Sequence, residues 1–444
     1  MRNPNMLKAV HINNMMLFVW WVNIVLQSVF DLSWIYVAVF LFTTTYVLYK
    51  DYRYGVLFLI VSYFVPYTSS YLPSPFLIIT LLSFGFYLLS VGFQLKRCNN
   101  RYYLILLFLF LAPIFSILFQ GSELSDKTVV TYILSGVSLL IYASIFEGFD
   151  ERVFFESMLK KILFFISIAF IVSYVHTLLE QNTNLYNNIF IANQSDDFLM
   201  KIYTESSMEV RRLIWVGIDP NYFAAQFIFF FLLSLYFSQE ETKYYFYSGL
   251  IAFSIIGTFS RTAFLVMSFS FISAMFLHRQ KSKLFILGVI GFIILIFYNY
   301  DYISRIDTIV DNISNKGGTG RFELIRASLE VWGDNIFGVG IGNLSDTKYG
   351  SSSYVKNFSS HSTFFQILVE SGVHFFILFL SSIVILILPN KLISLNRLSY
   401  FSLIGIVFTL FFYITIPVYD FRLFFLMVLI YVTSMKLNVF SKKV

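Results

Sequence analysis

His361 and Glu370 stand nine residues apart in the stretch SSHSTFFQILVESG (359–372), the first at the mouth of an apolar segment and the second inside it. Imidazole is the side chain best suited to proton transfer near neutral pH, so His361 is a candidate general base or hydroxyl-orienting group. By itself it reads more readily as a polar residue at a helix entry, and its surroundings shift the balance. On a continuous helix, nine residues turn through about 900° and rise roughly 13 Å. The two side chains then point to opposite sides, which forbids a direct dyad. Glu370 reads instead as structural support, satisfying a polar group on a neighbouring helix, because an unpaired carboxylate at membrane depth costs at least ~2.5 kcal/mol.

The elements that must position these groups are set by composition. Of 444 residues, 58% are apolar, 20% aromatic and only 13% charged, far from the averages of water-soluble domains. Segments of about 17 to 22 mostly apolar residues, enough to cross a hydrocarbon core of ~30 Å, recur along the whole chain. They fall near 13–30, 32–49, 54–72, 75–95, 102–120, 128–146, 160–179, 217–237, 244–259, 262–278, 284–300, 362–388, 398–417 and 421–438. The expected fold is an all-α integral membrane protein of about fourteen transmembrane helices. The first two segments are separated only by Asp31, and a count of twelve or thirteen stays open.

Cationic loops stay cytoplasmic, and with the N-terminus inside, 19 of the 31 Lys and Arg residues fall on the cytoplasmic side. Short external loops hold only Lys127, Arg261 and Arg422; the other nine lie in two long segments, 180–216 and 301–361, which this topology places outside. Both termini are then cytoplasmic. The net charge of +6 reflects topology, and nothing in it argues for nucleic acid. The single Cys98 excludes disulfides and cysteine-rich metal sites, and no metal or other cofactor is expected. The first segment lacks a small-residue cleavage site, so no cleavable signal peptide is expected. Of the five histidines, His11 and His278 fall inside, His374 lies deep in a segment, and only His176 and His361 are external. His176, ending the seventh segment, reads as an interfacial residue.

The chain thus divides into N-terminal transmembrane helices (1–179), a first long extracytoplasmic loop (180–216), central helices (217–300), a second long loop (301–361) and C-terminal helices (362–444). Within the second loop, GRFELIRASLEVW places Phe322, Ile325, Leu329 and Trp332 on one face at helical spacing. Such a helix lies on the membrane surface or caps the bundle.

The stretch GRFELIRASLEVWGDNIFGVGIGN (320–343), followed by HSTFFQILVESG (361–372), resembles the signature of the O-antigen ligase and polysaccharide polymerase family. That pattern is a GR, a tryptophan, a G-V-G-x-G-N turn, then H-N-x-x-L-x-x-L-x-E-x-G. Ser362 stands where Asn is usual and Phe365 where Leu is usual. GIDPNYFA (217–224) and SRTAF (260–264) are also similar to the family, and together the motifs cover about a quarter of the chain. The combination is much more specific than its parts; GVGIGN alone, with Gly338, Gly340 and Gly342, would be one glycine turn among many.

The pieces also carry physical readings. Asp219–Pro220 is a helix opening, with an acceptor at the N-cap and proline at the first helical position, and equally presents free N–H groups to an anion beside Asn221. Arg261 ends a transmembrane pair and would ordinarily snorkel to the interface. With Arg211 or Arg212 and with Arg321 and Arg326 it would instead converge on a pyrophosphate, since guanidinium binds phosphate oxygens bidentately.

No Walker A or nucleotide-sugar motif is present, and an external enzyme has no ATP, so the energy must arrive with the substrate. The resemblance implies a multispanning, GT-C-like, metal-independent glycosyltransferase of the bacterial inner membrane, with its active site on the extracytoplasmic side. It implies undecaprenyl-pyrophosphate-linked oligosaccharide as donor and acceptor, His361 as general base or acceptor-orienting group, and arginines that stabilise the leaving group. A second lipid-linked repeat unit as acceptor makes a polymerase, the preferred reading, and lipid A core makes a ligase. A chain-length regulator and a flippase of the same pathway are the candidate protein partners. A glycan flippase is the alternative from another class, but it should carry ionisable groups inside the bundle, where only Glu370 and His374 are seen.

Overall fold

The computed structural model describes residues 4–29, 34–64, 75–92, 100–123, 126–180, 220–258, 260–279, 281–283, 285, 286, 288, 321–345, 362–388, 396–416, 418 and 420–441. Among these the chain is helical, with no strand. The helices are α1 (Pro4–Val29), α2 (Trp34–Lys50), α3 (Gly55–Tyr63), α4 (Pro75–Ser90), α5 (Tyr103–Phe119), α6 (Lys127–Phe146) and α7 (Arg152–Glu180). They continue as α8 (Pro220–Phe237), α9 (Lys243–Gly257), α10 (Arg261–Leu277), α11 (Arg321–Asp334), α12 (Thr363–Ile387), α13 (Arg397–Tyr413) and α14 (Arg422–Ser441). Helix starts carry legible caps. Asp126 accepts from the N–H groups of Thr128 and Val129, Asn396 from Ser399, and Ser260 from Ala263. Proline opens α8, where its missing N–H costs nothing.

Among the described residues, 100–119, 127–146 and 363–387 form helical stretches long and apolar enough to cross a membrane unaided, and five shorter apolar helices accompany them. The outer surface is apolar too: Phe42, Leu118, Phe269 and Phe276 are all exposed. A contiguous apolar exterior is costly in water and is what a lipid-facing wall requires. Inside, buried serine and threonine hydroxyls return to carbonyls one turn back, as Ser167 does to Leu163 at 2.7 Å. Some link helices, as in the 2.7 Å bond between Ser234 of α8 and Ser248 of α9.

Polar contacts sort to two ends of the bundle. At one end Lys160 bonds Glu240 and Glu241, Lys436 bonds Glu147, and Arg53 bonds Asp51 and Asp150. The other end gathers the start of α6, the start of α8, the start of α12 and the 414–421 connection, and holds the site described below. This sorting is the up-and-down order that the apolar segments require.

Several elements differ from expectation. Helix α7 starts at Arg152 rather than near 160, because Arg152 and Glu156 form an i,i+4 pair that extends it beyond its apolar run. The segment 54–72 is a helix only over Gly55–Tyr63 among the described residues. Of the segment 284–300 only 285, 286 and 288 are described, and residues 181–216, 301–320 and 346–361 lie outside the described residues. The amphipathic helix forms as α11, and the face that packs matches the expected one only in part, at Trp332. Ala327, Val331 and Trp332 cover a small core of Val339, Leu344 and Val369, whereas Leu329 is exposed. The chain after α11 folds back beneath it and determines which side is covered. The expected unbroken helix over 362–388 is interrupted at Gly372, where φ is 81° and ψ 170°.

Candidate functional site

The interruption of α12 is built by two glycine-bearing segments that exchange backbone hydrogen bonds. In an unbroken helix the Val373 N–H would donate to Val369. Here it donates to the Ile336 carbonyl at 3.1 Å, and the freed carbonyls of Val369 and Glu370 accept from Val339 at 3.0 Å and Gly340 at 2.9 Å. Close approach requires glycine on both sides. A Cβ on Gly338 would stand 2.5 Å from the Glu370 carbonyl oxygen, and one on Gly372 would collide with the Phe337 carbonyl; both glycines have φ in the left-handed region.

The end of α5 and the turn after it clamp the same loop. The Gln120 amide donates to the carbonyls of Phe337 at 2.6 Å and Gly338 at 3.0 Å. Ser116 accepts from the Ile341 N–H at 2.6 Å, Ser122 donates to the Ile341 carbonyl at 3.0 Å, and the two hydroxyls are 2.7 Å apart. Asn343 reaches back to the carbonyls of Val339 and Gln120. Irregular backbone at membrane depth is tolerated only when protein satisfies its polar groups in this way.

Glu370 lies at the centre of this knot, 1% exposed and two helical turns below the start of α12. The Gln366 side chain, one turn above, donates to its Oε1. The backbone N–H groups of Gly342 and Leu344 face the carboxyl, and Asp126 is near enough to act on it electrostatically. The carboxylate of Asp126, which caps α6, presses on Gly342: a Cβ there would lie 2.7 Å from Oδ2. Loop, helix break and two carboxylates therefore form one unit.

Above the knot, the first residue of α12 is held from across the bundle. The Thr363 N–H donates to the Ile416 carbonyl at 2.9 Å, its hydroxyl donates to the same carbonyl at 2.6 Å, and it accepts from the Val418 N–H at 2.8 Å. Ile416 and Val418 line a cavity of about 300 Å³ whose polar walls are Tyr63, Thr131, Tyr222, Gln226, Tyr413, Asp420 and Arg422. Asp420 grips Arg422 with both oxygens, Nε to Oδ1 at 2.8 Å and Nη2 to Oδ2, and accepts from its backbone N–H at 3.0 Å. The guanidinium stands 4.8 Å from the centre of the Phe76 ring. Tyr132 joins cavity and knot: its ring is 5.9 Å from Phe421, and it is within electrostatic reach of Glu370.

Residues 246–380, from α9 into α12, match the family model described as O-antigen ligase. That segment of the chain is therefore similar to the O-antigen ligase family. No curated protein and no solved structure matches it. Members of the family are glycosyltransferase-like enzymes acting on lipid-linked glycans, and the apolar helices agree with a membrane protein.

The O-antigen ligase segment contains the glycine loop, Thr363 and Glu370, whereas Tyr63, Tyr222, Asp420 and Arg422 lie outside it. Of the residues singled out in the sequence, Gly338, Gly340, Gly342 and Glu370 come together in the knot. Asn221 stands in the first turn of α8, beside the cavity-lining Tyr222. Arg326 is on the exposed face of α11, where its Nε bonds Glu330 at 3.2 Å. Arg261 and Arg321 are the first residues of α10 and α11, and their side chains lie outside the description. His361, Arg211, Arg212 and Asp219 lie outside the described residues. Sequence reasoning missed three features. Arg422 entered only as a charge in a short loop, though the D-x-R spacing of a turn was legible. Thr363 carried no signal beyond its neighbour His361. Gly372 inside an apolar run was the available warning of a break.

Proposed function

We propose that this protein is a polysaccharide polymerase. It joins undecaprenyl-pyrophosphate-linked oligosaccharide repeat units on the extracytoplasmic side of the inner membrane. The observation that carries this reading is the tie between Thr363, two residues after His361, and the wall of a polar cavity at one end of the bundle. The described walls of that cavity offer hydroxyls, an amide and an ion pair between helices, which supports a polar reaction chamber at this end of the bundle.

In the proposed reaction an acceptor sugar hydroxyl attacks the anomeric carbon of the donor. The new C–O bond forms as the bond to the lipid pyrophosphate breaks, His361 takes the hydroxyl proton, and undecaprenyl pyrophosphate leaves with the bonding electrons. Arg261, together with Arg211 or Arg212, would neutralise the charge that develops on the leaving group. The knot supports this chemistry from below by fixing α12, so Glu370 is a positioning residue here and no proton is routed through it.

The test is conversion of lipid-linked repeat units into a ladder of longer chains by the purified protein. Wild type should give the ladder, and His361→Ala should yield stable protein with activity lower by ~10²- to 10⁴-fold. A normal ladder from His361→Ala removes the histidine from the chemistry. Product formed only when lipid A core is supplied makes the protein a ligase.

A further inference from the structure

The described walls of the cavity beside Thr363 have the chemistry of a carbohydrate site more than that of a phosphate site. Among the described lining residues the one cation, Arg422, is bound by both oxygens of Asp420, so the pair contributes no net charge. The remaining described lining residues carry no formal charge at neutral pH. A pyrophosphate needs a surplus of positive charge and guanidinium edges free to face it. The described walls offer no such surplus. What the cavity does offer is three tyrosines, Tyr63, Tyr222 and Tyr413, whose rings supply flat apolar surface and whose hydroxyls donate or accept.

The polar groups are arranged in pairs. The Gln226 amide lies 3.4 Å from the Tyr63 hydroxyl, and the locked Arg422–Asp420 pair presents donors and acceptors side by side in one plane. A sugar ring needs both at once, because each hydroxyl donates one hydrogen bond and accepts others, while its C–H faces pack against aromatic rings. The ion pair is rigid as well: Asp420 accepts three bonds from Arg422 and Phe76 covers the guanidinium, so it is organised before any ligand arrives. The volume, about 300 Å³, is at the small end of ligand sites and suits one or two sugar rings, leaving a lipid tail outside.

We infer that this cavity, walled by Tyr63, Tyr222, Gln226, Tyr413 and the Arg422–Asp420 pair, is a saccharide subsite that binds neutral sugar rings of a lipid-linked glycan and leaves the pyrophosphate to other residues. The inference rests on the transferase reading above and deepens it, since it assigns the recognition of sugar to walls outside the family-matched segment.

The experiment uses the full chain in lipid nanodiscs with Cys98→Ser, and single cysteines at Gln226→Cys and Thr131→Cys in the cavity and Glu123→Cys on the exposed turn before α6. Maleimide labelling rates are measured alone, with inorganic pyrophosphate, and with the free one-repeat oligosaccharide released from the host's lipid-linked repeat units by mild acid. Oligosaccharide held about tenfold above its Kd should slow labelling at both cavity positions by about tenfold. Glu123→Cys should be unaffected, and pyrophosphate should protect neither cavity position. Protection by pyrophosphate in place of oligosaccharide, or no protection by oligosaccharide at either cavity position, overturns the subsite. The ladder assay on wild-type protein separates the two readings. A ladder without oligosaccharide protection sinks the subsite alone. Protection without a ladder leaves the subsite standing and sinks the transferase reading.

Discussion

Thr363 and Ile416, 53 residues apart in the chain, are joined by two hydrogen bonds to a single carbonyl, one from the threonine N–H at 2.9 Å and one from its hydroxyl at 2.6 Å. The same hydroxyl accepts from the Val418 N–H, so one side chain fastens the start of α12 to the connection between α13 and α14. Thr363→Val keeps the shape, strands the Val418 N–H and removes one donor to Ile416, at a cost of about 1–3 kcal/mol. Thr363→Ser keeps the latch. Thermal unfolding should show the valine variant less stable and the serine variant close to wild type, and the ladder assay should show the same order. Equal behaviour of the two variants would leave the latch without consequence.

Gly372 should be the least replaceable glycine of the helices. Its φ of 81° is strained for any L side chain, and an added Cβ meets the Phe337 backbone, which the surrounding bonds hold in place. Gly372→Ala should therefore sharply reduce the yield of monodisperse protein from detergent. Gly333→Ala is the control, because a Cβ there meets nothing within 4 Å and alanine favours the helix. Its yield should equal or exceed that of wild type. Normal folding of Gly372→Ala would show that the break in α12 is not required.

Glu370 should tolerate loss of charge better than loss of shape. Glu370→Gln keeps an oxygen that can accept from the Gln366 amide, whereas Glu370→Ala leaves that buried donor without an acceptor. The glutamine variant should retain much of the ladder, and the alanine variant should fall in yield. A glutamine variant as inactive as His361→Ala would give Glu370 a part in the chemistry.

The two polar ends of the bundle predict opposite accessibilities. With Cys98 replaced by serine, Glu123→Cys, beside the glycine knot, should react with a membrane-impermeant maleimide in intact cells. Glu151→Cys, at the end bearing the Lys160 and Lys436 ion pairs, should react only after permeabilisation. The reverse pattern would turn the protein over in the membrane.

The fold class was legible in the sequence because lipid imposes a local rule: a spanning helix satisfies its own backbone within some twenty residues, so apolar run length announces each one. Capping residues marked several boundaries for the same reason, as at Asp126, Ser260 and Pro220. The motifs were equally local, and the chain order of His361, Glu370 and the glycine triplet raised the family resemblance before any geometry was known. What the tertiary structure decided was which segments trade hydrogen bonds. Gly372 alone signalled a weak point, but only the return of residues 336–340 onto α12 turned it into a break, and only that return selected the covered face of α11. Arg422 was counted as a topological charge until Asp420, Phe76 and helices roughly two hundred residues away or further in sequence enclosed it with Tyr63 and Tyr222. Burial, ion pairing and cavity shape depend on contacts between distant segments, and no periodicity along the chain encodes them.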